Sequence, residues 1–414
     1  MVRLPFIGEC AMFEIERTST NDAVRIPRTV WMLGFVSMFM DISSEIVHAL
    51  LPLFLTGTLG ASVAMVGLID GVAEAAASIT KVFSGYISDR IGKRKPLILL
   101  GYGLGALSKP LFAVAGSSGL VLAARFADRI GKGLRGAPRD ALVADVTPTA
   151  IRGRAFGLRQ SLDTIGAFVG PLVAIGLMAL FLDDIRKVFW FAIIPGIVAV
   201  LLVLGGIEDR RLPEGAVEAP PPVRFGDLAQ FSSRFWGVVA MGALFTMARF
   251  SEAFLILKTN SEGLPIMLAP MVLVVMNLVY SLGAYPAGVL SDRFSSRHLL
   301  IIGLLPLMAA DLLLAMTSDL AIAFAGIALW GAHMAMTQGL MAKLVTDKSP
   351  PHLRGSAFGI FNLVSGIAML LANVVAGTLW TSFGPSITFI TSAAFAGATI
   401  VMLGLANANR ALRA

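Results

Sequence analysis

Seven ionisable side chains, Arg125, Asp128, Arg129, Lys132, Arg135, Arg139 and Asp140, recur at spacings of three and four residues around the stretch "GKGLRGAPRDALVAD". At roughly 100° per residue a helix gathers them on an arc about 140° wide, opposite Phe126, Ile130, Leu134, Ala137 and Ala141. Elsewhere "FMDISSEIVHALL" sets Asp41, Glu45 and His48 on one helical face, and Asp70 with Glu74 and Arg159 with Asp163 are four apart. A carboxylate beside an arginine in a dry cavity can exchange a proton when the two are drawn apart, so the chemistry on offer is proton coupling and ion recognition. The same charges in permanent pairs would only fix helix packing. The proton-coupling candidates are Asp41, Glu45, Asp70, Glu74, Arg125 and Asp128, with Asp41 or Glu45 as carrier and Arg125 as its modulating partner. Substrate-binding candidates are Arg129, Lys132, Arg135, Arg159 and Asp163, joined from the second half by Arg249, Glu252, Asn277, Tyr280, His333, Gln338 and Asn362. The stripe holds five basic and two acidic groups, so unless neighbouring helices supply carboxylates it attracts anions.

The surroundings of these charges are apolar. Of the 414 residues, 56% are hydrophobic and 14% charged, against about 45–50% and about 25% in soluble domains, and the mean hydropathy is +0.80. One charge at the bilayer centre costs about 2.5–3.5 kcal/mol even on the lenient insertion scale, so the stripe must face water, solute or opposite charge. A span needs about 20 apolar residues. On that ruler twelve fall near 29–56, 63–87, 96–116, 119–147, 154–182, 187–207, 234–258, 265–290, 298–317, 319–346, 355–381 and 384–407. "DRIGKRK", "IRGR", "EDRR", "DRFSSRH" and "DKSPPHLR" lie in every second loop, which places both termini in the cytoplasm. The organisation expected is a tail over 1–28, a six-helix bundle over 29–207, a linker rich in proline and charge over 208–233, a second bundle over 234–407 and a tail over 408–414.

The halves echo each other. "GYISDRIGKRK" after the second span answers to "GVLSDRFSSRH" after the eighth, and "TPTAIRGRAFGL" before the fifth to "SPPHLRGSAFGI" before the eleventh, the mark of a transporter built from repeats around a central site. With twelve spans in two halves, Gly85, Asp89, Arg90, Gly92, Lys93 and Arg94 resemble the signature loop of the major facilitator superfamily position by position. That resemblance implies an all-helical membrane fold of two pseudo-symmetric six-helix bundles rocking about a midplane cavity. The loop is expected to latch the halves, Gly85 allowing close helix approach and Asp89 pairing with a base across the half interface, with Arg139, Asp140 and Asp145 grouped beside it. Gly157, Gly166, Gly170 and Pro171 in the fifth span are similar to the glycine motif of the drug and metabolite antiporters, although Ala174 and Ile175 replace its usual closing glycines. Arg125 matches the family's fourth-span arginine, but Asp128 and Arg129 replace the usual Gln and Gly and make the site more ionic.

The function expected is secondary active transport, with export of a small organic solute or drug in exchange for protons. The alternative is proton-coupled import of an anionic metabolite or metal chelate through the basic fourth span. A monomer in the inner (plasma) membrane, with solute, protons and lipid as its partners, is the expected state. Cys10, the single cysteine, allows no internal disulfide or cysteine metal cluster. His333, Met334, Met336 and Met341 point in different helical directions, and no metal or other cofactor is expected. The +7 net charge reads as loop charge rather than a nucleic-acid surface. No nucleophile elbow, phosphate loop or paired-acid pattern calls for an enzyme. The glycines of "GYGLGALSKP" follow no strand and serve packing, while Lys109 in the same segment is expected to face the cavity or an acid.

Overall fold

The computed structural model describes residues 25–208, 225–337, 339–350 and 353–411, and these fold into twelve helical spans with no strand. They are α1 (Arg28–Thr58), α2 (Val63–Ile91), α3 (Lys95–Val114), α4 (Ser118–Val146), α5 (Arg152–Leu180) and α6 (Ile185–Gly206). The second half comprises α7 (Ser233–Met247, then Ala253–Ser261), α8 (Met271–Arg293), α9 (Ser296–Met316), α10 (Leu320–Lys348), α11 (Arg354–Phe383) and α12 (Pro385–Ala411). Ten of these are long and apolar enough to cross a membrane unaided. The other two are informative. α4 carries the charged stripe, and α7 is broken between Met247 and Ala253, where Arg249 and Glu252 lie. The expected tails and linker lie largely outside the described residues, as does Gln338.

Local chemistry sets the helix ends. Ser62, Ser117, Ser232 and Ser295 each cap an N-terminus by accepting a backbone N–H. At the inner end of α2 the chain reverses at Gly92, whose φ of 69° is left-handed backbone that glycine adopts without strain.

Lipid offers no hydrophobic drive between helices, so close van der Waals fit at small residues holds the bundle. A Cβ on Gly166 would meet Met38 O at 2.5 Å and Asp41 Cβ at 3.1 Å; one on Gly170 would meet Glu45 Cβ at 2.7 Å. These two glycines of α5 therefore seat the acid-bearing face of α1. Gly157 faces open space, so the motif packs against α1 only through its later members.

The halves join along α2 and α11. A Cβ on Gly377 would lie 2.8 Å from Val63 O, and Ala64 N donates to Thr381 Oγ1 at 3.0 Å, both at the outer helix ends. One apolar cluster runs through both halves here, uniting Leu50 and Phe54 of α1 with Phe254 and Leu255 of α7 and Trp330 of α10. A second cluster, around Val36, Tyr102 and Leu142, stays within the first half. The outer side is thus the sealed side.

Candidate functional site

The stripe of α4 is met by acids from its neighbours. Arg125 Nε lies 3.3 Å from Asp70 Oδ1 of α2, and Arg129 Nε lies 3.3 Å from Glu74 Oε1 one turn further. Asp128 accepts from Lys109 Nζ of α3 at 2.7 Å, and Lys109 also donates to Ser44 of α1 at 3.0 Å. Lower down, Arg139 lies 3.2 Å from Asp140 and 3.7 Å from Asp163, and Arg159 completes the group at 3.8 Å from Asp140 and 3.7 Å from Asp163. Arg135 lies over the Tyr102 ring, 4.6 Å from its centre. The anion-attracting excess expected of the stripe is offset by its neighbours: Asp70, Glu74 and Asp163 from α2 and α5, with Asp41 and Glu45 of α1 beside it, stand against the stripe's excess and the further positive charges of Lys109 and Arg159.

The expected pairing of Arg125 with Asp41 or Glu45 is corrected in the same way. Arg125 pairs with Asp70, and the other oxygen of Asp70 accepts from Ser251 Oγ of α7 at 2.6 Å. Ser251 N in turn donates to Asn373 Oδ1 of α11 at 2.8 Å. One carboxylate thus serves an ion pair inside the first half and a hydrogen bond to the second. Arg125 and Asp70 are 2% and 4% exposed, so bulk water weakens neither contact.

Two adjoining cavities border this network. The first, about 230 Å³, lies between the halves and is lined by Glu45, His48, Glu74, Arg129 and Lys132 from one side and Arg249, Ser251, Glu252, Asn277 and Asn373 from the other. Its three acids balance its three Lys and Arg residues. The second, about 270 Å³, sits inside the first half among Asp41, Glu74, Lys81, Lys132, Arg135, Arg139 and Asp163. Glu74 and Lys132 border both. Lys132, Arg249 and Glu252 have no ion-pair partner among the described residues, and so are available to a solute.

Not every candidate converges. Tyr280 and Asn362 line neither cavity. His333 is wholly buried, with Nδ1 2.7 Å from Gly303 O and its ring against Phe245, so it packs inside the second half. At the inner loop, Asp89 pairs with Arg94, which lies 3.3 Å from Asp145. Asp89 thus pairs within its own loop rather than across the half interface, and Asp145 lies on the other side of the same Arg94. Arg139 and Asp140 belong instead to the Asp163 group. Gly85 lies against Ala137 of α4, Arg90 donates to Tyr86 and Lys93 is solvent-exposed.

Sequence reasoning missed Ser251, Asn373 and Asp311. Asp311 stands alone in the apolar run "PLMAADLLLAM", and a lone acid within a span is itself a signal of function. It is wholly buried, with Trp330 Nε1 3.3 Å from Oδ1 and Ser392 Oγ 2.6 Å from Oδ2.

The family model of the Major Facilitator Superfamily matches residues 33–278 and 263–411. Among relatives, an uncharacterized MFS-type transporter of Methanocaldococcus jannaschii is 29% identical over 93% of this chain and 96% of its own length. The multidrug resistance protein MdtH of Edwardsiella ictaluri is 30% identical over 42% of this chain and 40% of its own. Among solved structures, a D323A mutant of the nucleoside transporter NupG superposes with a TM-score of 0.77 at 14% identity, covering 91% of this chain and 98% of that one. The human organic anion transporter MFSD10 superposes with a TM-score of 0.65 at 19% identity, covering 91% and 99%. At those identities the structures establish the fold alone.

Proposed function

The chain belongs to the major facilitator superfamily, and from that premise we propose that it exports a small polar solute in exchange for protons, the two halves opening the cavity to each side in turn. The observation that carries this reading is Asp70, shared between Arg125 of its own half and Ser251 of the other. A proton on Asp70 weakens its pairing with Arg125, and parting of the halves removes the Ser251 bond, so proton occupancy and outer contact act on one group. The balanced charges of the inter-half cavity favour a solute bearing both signs of charge over a greasy cation. Support for export comes from the glycine motif of α5, which seats Asp41 and Glu45, and from the name of the partial relative MdtH.

The test uses everted membrane vesicles carrying an imposed pH gradient, with amino acids, organic cations and organic anions added in turn. Zwitterionic solutes are expected to dissipate the gradient, and Asp70→Asn to abolish the response while the protein remains in the membrane. Solute movement indifferent to the gradient would overturn proton coupling.

A second reading, import of an anionic solute, draws on Lys132 and Arg249, the two cavity cations without ion-pair partners among the described residues. Gradient-driven movement of organic anions toward the cytoplasmic side would favour it.

A further inference from the structure

Asp311 lies in α9, inside the second half, and is wholly buried. Among the described residues no basic nitrogen lies within ion-pair distance of it. The groups facing it are few. α10 brings Trp330, with His333 three residues on and bonded to the Gly303 carbonyl; α12 brings Ser392; and α7 brings the end of its first segment, with Arg249 turned to the inter-half cavity. An ionised carboxylate here would be an uncompensated charge in a lipid-embedded bundle, which is costly.

The hydrogen-bond inventory leads to the same conclusion independently. Ser392 Oγ lies 2.6 Å from Asp311 Oδ2 and 2.7 Å from the carbonyl oxygen of Ala248. A hydroxyl has a single proton to give, and a carbonyl can only accept. If that proton goes to Ala248, Ser392 Oγ and a carboxylate oxygen would face each other as two acceptors at 2.6 Å unless the acid supplies a hydrogen. If it goes to Asp311, the Ala248 carbonyl is left unsatisfied where the helix ends, with no water from the bilayer core to replace the bond.

We infer that Asp311 is a neutral acid whose proton closes a chain from Asp311 through the Ser392 hydroxyl to the Ala248 carbonyl, and that this chain positions the break in α7. Trp330 Nε1 donates to the remaining oxygen. Ala248 immediately precedes Arg249, Ser251 and Glu252, which line the inter-half cavity, and Ser251 makes the bond to Asp70. Asp311 is thus a positioning residue, acting on the cavity through Ser392 and the backbone. The inference deepens the transport reading and rests on it only for the meaning of the cavity. Its test measures neither flux nor a pH gradient, so the two can fail separately.

The experiment uses the purified full chain without solute. Infrared difference spectra of wild type against Asp311→Asn should show the C=O band of an un-ionised carboxyl, unchanged across neutral pH. Amide hydrogen exchange over residues 248–253 should match wild type in Asp311→Asn, whose amide can donate to Ser392 and accept from Trp330. It should rise about tenfold or more in Asp311→Leu and Ser392→Ala, as expected for loss of a buried hydrogen bond, with the middle of α9 unchanged. If Asp311→Leu does not fold, the contrast between Asp311→Asn and Ser392→Ala decides. A carboxylate band from Asp311, or an Asp311→Asn variant whose break exchanges as fast as Ser392→Ala, would overturn the inference.

Discussion

Single side chains here matter chiefly through the partner each would leave behind. Lys109 and Asp128, 1% and 3% exposed and 2.7 Å apart, are the clearest case. Asp128→Asn leaves a buried ammonium without its counter-charge and is expected to cost about 3–5 kcal/mol, whereas a Lys109→Met, Asp128→Leu double variant removes both charges and costs less than the single one. Thermal unfolding in detergent checks the order of the two. At Asp70 loss of the charge also leaves Arg125 without its partner, but one of its contacts, to Ser251, crosses to the other half, so an effect on transport is expected beside the loss of stability. Asp70→Asn keeps the shape of the side chain and its bond to Ser251 but loses the charge facing Arg125, so a lowered melting temperature is expected in protein that still reaches the membrane, with its response to a pH gradient lost in vesicle flux assays. The candidate residues were legible in the sequence, because charge inside an apolar span must have a reason. Their partners were not. Helical periodicity gives a residue's face but not the helix that it meets, and so it does not separate Asp70 from the acids of α1 as the partner of Arg125.

At the scale of elements, small residues decide which helices approach closely. Gly170→Ala would place a methyl group 2.7 Å from Glu45 Cβ and 3.1 Å from Ile42 O, forcing α1 away from α5. The expected cost is about 1–3 kcal/mol of overpacking, read as a lower melting temperature, whereas Gly157→Ala, facing open space, should be neutral. Most of the spans were readable to within a few residues, since bilayer thickness fixes their length and serine caps and charged loops mark their ends. The exceptions are α10, interrupted at the left-handed Gly339, and α7. The apolar composition of α7 over 234–258 reads as one continuous helix, but the chain leaves helical geometry after Met247, where Ser251 and Ser392 satisfy polar groups that a helix would have paired. Such a break is tolerated at membrane depth because it faces protein and a cavity rather than lipid.

The whole molecule consists of two halves pressed together at their outer ends by α2 and α11 and by one apolar cluster common to both. Asp70, buried behind the cavity wall, joins the halves through Ser251, which does line the cavity. The doubled sequence made the two-half plan legible, since loops and glycines repeat in register, but the sealed side depends on side-chain fit across the interface, which no repeat encodes. The central claim is that the outer contact opens when Asp70 loses its charge. Paired spin labels test it most directly, at Leu182→Cys and Met316→Cys, exposed residues near the outer ends of the two halves, in a Cys10→Ser background. The account predicts a distance distribution with a close population matching the sealed form, shifting to a longer one in Asp70→Asn and on acidification. A single distance, the same in both proteins at every pH, would contradict it.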